Sequence, residues 1–309
     1  MIQKFESNKM PDFIGDIHGH LNDLEKLFKR LGYEKKGGIY IHSERIPVFL
    51  GDYINRGPEI LGVLKLVREM QMSGNAYAIM GNHEFNFLAY HCKDDQGIPF
   101  RPNTDRYLGH ISGTKQPLEN NGLLETYLNW MSELPLIVKS EYFNAVHAQW
   151  NEEFELVLSN SKVNKLNEEG MRKMHSNSKY NEAFSSIIKG SEFTITQEFI
   201  DKYNFDFRYD KERIVWWKRN RSNRINDWLN VDAYNDEIII QPKDFIGINE
   251  FDVNHKPTFF GHYWLDTTDF GVLGNNLCCL DFSVASGGFI GAYRFENEDQ
   301  LISENLFHS

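Results

Sequence analysis

Cysteine is nearly missing from this sequence: three residues in 309, Cys92, Cys278 and Cys279, two of them adjacent. That set builds no disulfide framework and no Cys-x-x-Cys metal site. It points to a reducing, cytoplasmic compartment. Long apolar runs are lacking too. The longest, such as Ile238–Ile240 and Leu134–Val138, fall far short of the ~20 residues a membrane-spanning helix needs, so no membrane partner is expected. Met1 to Met10 is polar and lacks the apolar core of a signal peptide. Positive charge is in deficit, with 33 Lys and Arg against 44 Asp and Glu and a net charge of −11. The chain is therefore poorly suited to hold long nucleic acid by its overall field, and phosphate groups can bind only where cations are gathered locally. No repeat, low-complexity tract or kinase-type Gly-rich loop interrupts the chain.

What is present suits one large globular domain or two small ones. The first third alternates strand and helix. Pro11–Gly15 is an apolar run, followed by Leu21, Leu24, Phe28 and Leu31 at helical spacing. Ile46–Leu50 reads as a second buried strand, followed by a stripe of Leu61, Leu64, Val67 and Met70 behind Pro58, and Ala76–Met80 as a third strand. This order predicts parallel strands under helices. The middle reads as helical, with a stripe at Leu124, Tyr127, Leu128 and Met131 and a weakly amphipathic stretch from Glu152 to about Tyr203. Strands return at Tyr142–Val146, Thr258–Phe260, Leu277–Phe282 and Phe289–Phe295, with a turn at Gly287-Gly288. The expectation is a single domain over 1–309, with a mainly helical insertion or cap at about 150–235.

Five of the apolar strands end in a metal-type ligand: Asp16 with His18, Asp52, Asn82 with His83, His147, and His262. Ligands of open α/β sheets bind beyond the carboxyl ends of the strands. Strands lying side by side would bring all five clusters to one sheet edge. Histidine nitrogen with carboxylate or amide oxygen suits manganese, iron or zinc. Asp52 is the natural bridge between two cations, and a pair roughly 3.5–4 Å apart supports in-line attack at phosphorus. Each position also has a plainer reading. Asp-x-His is commonly a turn, a lone His147 or His262 is commonly a satisfied core histidine, and Asn82 could cap a helix starting near Glu84. What outweighs these readings is that all five clusters terminate apolar strands. Arg56 follows Asp52 in Gly51-Asp52-Tyr53-Ile54-Asn55-Arg56-Gly57-Pro58 and could grip phosphate with two parallel hydrogen bonds.

Gly15-Asp16-Ile17-His18-Gly19, then Gly51-Asp52-x-x-x-Arg56-Gly57, then Gly81-Asn82-His83-Glu84 resembles the calcineurin-like metallophosphoesterases. Within them it is similar to the branch of serine/threonine protein phosphatases and bacterial diadenosine tetraphosphatases. The resemblance is strong over the first ninety residues and looser at His147, His262 and Asp281. It implies an α/β, four-layer sandwich, two mixed sheets flanked by helices. It implies one metal on Asp16, His18 and Asp52, and another on Asp52, Asn82, His147 and His262. The cofactors would be two divalent ions, manganese first, with iron, zinc, nickel or cobalt as alternatives. His83 would act as general acid and Arg56 would bind the phosphate.

Two departures rank the substrates. The protein phosphatases carry Asp where this chain has Asn55, so His83 should be a weaker acid here. His147-Ala148-Gln149-Trp150 stands where they have His-Gly-Gly, whereas Asn55-Arg56-Gly57-Pro58 and the ending Leu280-Asp281-Phe282-Ser283 look like the tetraphosphatase branch. A basic group at Lys218, Arg219, Arg221 and Arg224 beside Trp216 and Trp217 could give a second phosphate contact, through Arg221, and a surface for stacking a base; a solvated loop over buried tryptophans is an equal reading. The expected activity is hydrolysis of a nucleotide polyphosphate or small phosphomonoester. A phosphopeptide substrate is the alternative, and an RNA-end phosphatase or an inactive binding module ranks lower.

Overall fold

The computed structural model describes residues 1–102, 105–203, 210–218, 221–230, 238–241, 256–274 and 276–309, the side chains of 105–108 and 110 excepted. Fifteen strands are described: β1 Ile2–Lys4, β2 Met10–Ile14, β3 Glu34–Lys36, β4 Ile39–Ile41, β5 Arg45–Phe49, β6 Tyr77–Ala78, β7 Ile137–Lys139, β8 Asn144–Val146, β9 Glu192–Thr194, β10 Lys211–Arg213, β11 Thr258–Phe260, β12 Leu277–Cys279, β13 Asp281–Phe282, β14 Phe289–Arg294 and β15 Leu306–His308. The helices among the described residues are α1 Leu21–Arg30, α2 Ile60–Met72, α3 Asn82–His91, α4 Asp105–Asn120, α5 Leu124–Glu133, α6 Glu152–Asn160, α7 Glu168–His175, α8 Ser178–Lys189 and α9 Gln197–Tyr203.

Two mixed sheets carry the fold. One runs β13-β14-β2-β5-β6 with β15 paired to β14; the other runs β1-β7-β8-β11-β12. β2, β5 and β6 are parallel, as the alternation of strand and helix predicts. The sheets meet through aromatic rings. Phe13 of β2 stacks on Phe259 of β11 at 3.7 Å between centroids, and Phe143 and Phe295 pack edge-on around them. Parallel strands covered on both faces need such continuous apolar runs. α1 buries Leu24, Leu27 and Phe28, and α2 buries Val63, Leu64, Val67 and Met70, on the six-stranded sheet.

Two sequence expectations are corrected here, and one strand was not foreseen. The ligand-bearing strands do not form one edge: β2, β5 and β6 lie in one sheet, β8 and β11 in the other. The run Leu277–Phe282 is two strands, since the chain passes at Leu280 from the five-stranded sheet into the six-stranded one. The opening residues include β1, an edge strand parallel to β7. The asparagine-rich middle also has a structural use. Asn151, Asn167 and Asn177 accept backbone N–H groups at the starts of α6, α7 and α8, satisfying donors that helix ends leave open. Beyond α8, Ile195, Phe199, Ile214, Ile225, Leu229 and Ile240 form a second, small apolar cluster.

Candidate metal and phosphate site

The loops after the strands are tied to one another by backbone bonds. Ile17 and His18 N–H both donate to Asp52 O, at 3.1 and 2.8 Å, and Gly261 N–H donates to His147 O at 2.8 Å. Tight passage through these ends forces left-handed backbone on residues that rarely adopt it. His18, Asp52, Asn55, Arg56, His262 and Trp264 have φ of 44°, 53°, 67°, 71°, 75° and 51°. Each such residue costs of order 1–3 kcal/mol, and strain of this kind collects at functional sites. The glycines explain the close approach. A Cβ on Gly261 would sit 2.0 Å from Asp16 Oδ1, and one on Gly81 would sit 2.2 Å from Asp52 Oδ1.

Asp52 stands at the centre. His18 Nε2 lies 3.7 Å and His83 Nε2 3.9 Å from its Oδ2, and His147 Nε2 3.4 Å from its Oδ1. Asp16 Oδ2 is 4.0 Å from His18 Nε2. Asn82 Oδ1 is 3.0 Å from His147 Nε2 and 2.7 Å from His262 Nδ1. Asn82 is the first residue of α3, so its side chain faces the cluster and caps nothing. The outer nitrogens orient the rings: His147 Nδ1 donates to Leu50 O at 2.7 Å, and His18 Nδ1 to Ile54 O at 3.0 Å. His18 thus turns a bare Nε2 to the cluster, as neutral histidine ligands do, and His147 turns its Nε2 to Asn82 and Asp52.

The donor set fits cations. His18 Nε2 is buried without a hydrogen-bond partner, and its separations from Asp16 and Asp52 are too long for hydrogen bonds. They are what two atoms, each about 2.0–2.2 Å from a shared ion, would show. Burial, then Asp281 and Asp52, push the Asp16 carboxyl well above its usual range. A bound cation reverses that preference. Burial also pushes Asp52 up, but His147, His83 and His18 outweigh it and leave Asp52 well below the usual range. Two overlapping groups suited to an ion therefore share Asp52: His18, Asp52 and His83 on one side, Asp52, His147 and His262 on the other.

Around the ligands stand supporting residues, of which Thr114 carried no signal in the sequence. Glu84 is fully buried and accepts from Gly81, Asp52, Tyr53 and Ile54 N–H at 2.9 to 3.3 Å, clamping the Asp52 loop. Burial, with Asp52 adding to it, pushes Glu84 up to about 7. Asn55 Nδ2 meets His83 Nδ1 at 2.8 Å, and buried Thr114 of α4 donates to Asn55 Oδ1 at 2.7 Å. Burial, opposed by Asp52, lowers His83 to about 3, so its ring is neutral. Asp281 accepts from Trp264 N–H at 2.9 Å and holds the turn after His262.

Arg56 lies exposed at the rim, its Cζ 4.0 Å from the Trp264 ring centroid. The other basic candidates are placed differently. Arg221 Nη2 donates to Val215 O at 3.0 Å and its Cζ lies 4.9 Å from the Trp228 ring, contacts that close its own loop. Lys218 pairs with Asp227, and Arg219 lies outside the described residues. Trp216 is buried, donating to Ala148 O, and Trp217 packs edge-on against Tyr263. Trp216 is part of the core, and Trp217 is half-buried against it. A second arginine joins Arg56 at the rim: Arg213 on β10, which donates to His262 O at 2.6 Å.

A carboxylate-centred cluster of histidines and one amide, at the joined strand ends of two stacked mixed sheets, defines a metallophosphoesterase architecture. The chain belongs to the calcineurin-like phosphoesterase family, whose profile matches residues 12–262. It is similar to an asymmetrical bis(5'-nucleosyl)-tetraphosphatase of Oceanobacillus iheyensis, 49% identical over 73 residues that make up 23% of this chain and 29% of that protein. The Bacillus subtilis counterpart is 38% identical over 73 residues, 23% of this chain and 30% of its own length. The matched stretch thus spans less than a third of either relative. Among solved structures, a protein serine/threonine phosphatase from Saccharomyces cerevisiae shares the fold with TM-score 0.50 and 11% identity, over 100% of this chain and 82% of that one. No helix of the described residues is long and apolar enough to cross a membrane.

Proposed function

We propose that this protein is a phosphoesterase dependent on two divalent cations, manganese first among them, and that it hydrolyses a nucleotide polyphosphate or a small phosphomonoester. The observation that carries the reading is the buried, partnerless His18 Nε2 facing Asp16 and Asp52 opposite the Asn82–His147–His262 group. Asp16, His18 and Asp52 would hold one ion, and Asp52, Asn82, His147 and His262 the other. Bound there, the pair would activate water and neutralise charge during in-line attack.

The chain's own groups supply the rest. Arg56 holds the phosphate oxygens. His83, neutral and bonded at Nδ1 by Asn55, would turn its Nε2–H toward the leaving oxygen and hydrogen-bond the charge that develops there. A neutral imidazole suits leaving groups that need little protonation, which favours phosphoanhydrides over alkyl phosphates. The names of the tetraphosphatase relatives agree with that ranking. In this reading the chain is one domain, and the 150–235 segment lies over the site as a cap, through Arg213. A substrate panel with manganese tests the proposal: dinucleoside polyphosphates, phosphopeptides, 4-nitrophenyl phosphate and bis-4-nitrophenyl phosphate. The expected ranking puts a dinucleoside polyphosphate or 4-nitrophenyl phosphate first. A phosphopeptide in first place would shift the function to a protein phosphatase, and no turnover on any substrate would refute it.

A further inference from the structure

Trp264 is flanked by two cations. Arg56 Cζ lies 4.0 Å and Arg213 Cζ 5.5 Å from its ring centroid. The indole itself is 42% exposed, although its backbone is left-handed at φ 51°. That conformation is held by Asp281, which accepts the Trp264 N–H. Arg213 comes from a different part of the chain, the β9–β10 ribbon, and is fixed by its bond to His262 O. Two arginines are thus carried from distant segments to one ring at the rim of the metal cluster.

Among the described residues neither guanidinium has a carboxylate within ion-pair distance. Arg213 stands close enough to Arg56 to act on it as a like charge. Like charges placed together without a counter-ion destabilise a fold, and arginine pairs of this kind are suited to multivalent oxyanions. The carboxylates that attract Arg56 are Asp52, Asp281 and Asp16, on the cluster side of the ring. Beside Arg213 the nearest carboxylate is Glu192, opposite it in the β9–β10 register, and Glu192 lies 4.0 Å from Lys211 Nζ. The single phosphate under attack belongs with Arg56 and the cluster, which leaves Arg213 one position further out.

We propose that Arg213 and Trp264 form a subsite for a second phosphate group, joined to the one that Arg56 holds, so that the site takes a linked di- or polyphosphate. Arg213 grips the outer phosphate and Trp264 keeps the two guanidinium planes apart and aligned. This deepens the proposed function and rests on it for the place of the first phosphate. It also explains how an acidic chain binds a polyanion: the positive charge is confined to two residues on one ring.

The test uses binding, so that it stands apart from turnover. Manganese-loaded protein is titrated by calorimetry with methylenediphosphonate, which is not hydrolysed at its bridge, and with inorganic phosphate. Wild type is expected to bind the diphosphonate at least tenfold more tightly. Arg213→Gln should weaken the diphosphonate about tenfold more than it weakens phosphate. Arg213→Lys, which keeps a cation and a donor to His262 O, should retain part of the preference. Trp264→Ala should lose it and Trp264→Phe keep most of it. Metal content measured on each variant guards against a disturbed His262. Adenosine 5'-(α,β-methylene)diphosphate, run beside the diphosphonate, separates nucleotide-borne from free diphosphate, and either one binding through Arg213 supports the subsite. Equal loss for phosphate and diphosphonate would overturn the proposal, because Arg213 would then act on the first phosphate or merely support His262. An unchanged preference in Arg213→Gln would overturn it too. Failure of the substrate panel would remove the proposed activity and leave these binding results to be judged by themselves.

Discussion

His83 meets the cluster on one side and Asn55 on the other, and the second contact decides what it can do. An amide at Nδ1 orients the ring without stabilising its charged form, whereas a carboxylate there would favour the imidazolium. Asn55 is itself held by the Thr114 hydroxyl, so the pair is preorganised. Asn55→Asp is expected to raise turnover of alkyl phosphates such as phosphoserine more than that of aryl phosphates or phosphoanhydrides. Steady-state rates across leaving groups of graded pKa check this, and a parallel shift for all substrates would refute it. Arg56→Ala should cost about 2–4 kcal/mol of transition-state stabilisation and weaken phosphate inhibition as well. An unchanged inhibition constant would remove Arg56 from phosphate binding. Asp52→Asn should abolish nearly all turnover while the fold survives, and a folded variant with two bound metals and near wild-type rate would show that Asp52 is no bridge.

At the scale of elements, ligand geometry depends on strand ends that cannot move apart. Gly261 closes β11 against Asp16, where a Cβ would meet Oδ1 at 2.0 Å. Gly261→Ala must therefore push Asp16 or the β11 end aside. The expected result is a folded protein with at least tenfold weaker metal affinity, measured by competition with a chelating dye; wild-type affinity would mean that the ends tolerate displacement. Much of this arrangement was legible in the sequence. Apolar runs marked β2, β5, β8 and β11, and the polar residue ending each run was the informative signal. The partition into two sheets was not legible, because an apolar run shows that a strand is buried and not which neighbour pairs with it. Leu277–Phe282 read as one strand for the same reason: burial continues through Leu280 while the pairing partner changes. β1 was hidden because its Ile-Gln-Lys is an edge strand with little buried surface. Arg213 and Trp264 were missed because neither ends a strand as a ligand and their meeting depends on the fold of the 150–235 segment.

The molecule as a whole joins two sheets at one acidic point. Asp16, His18 and Asp52 follow strands of the six-stranded sheet, His147 and His262 follow strands of the other, and Asn82 opens the helix after β6. The aromatic stack of Phe13 on Phe259 holds the sheets together through their middle, but at the strand ends the neighbours are buried carboxyls. Asp16 faces both Asp281 and Asp52, which repel its charged form. Cations bound there would cross-link the sheets and relieve that repulsion together. Binding to the native state alone at a hundredfold excess over Kd adds about 2.7 kcal/mol of stability. For a domain of this size that corresponds to a shift in Tm on the order of 5 °C. Removal of metal by a chelator is therefore expected to lower the Tm by about that amount, and added manganese to restore it. Asp52→Asn should show much less than half the wild-type response, since one substitution removes a ligand from both ions. Scanning calorimetry of the two proteins with chelator and with manganese makes the comparison. Equal melting temperatures for wild type in both conditions would mean that the strand ends are held by the protein alone and that the cluster does not couple the sheets.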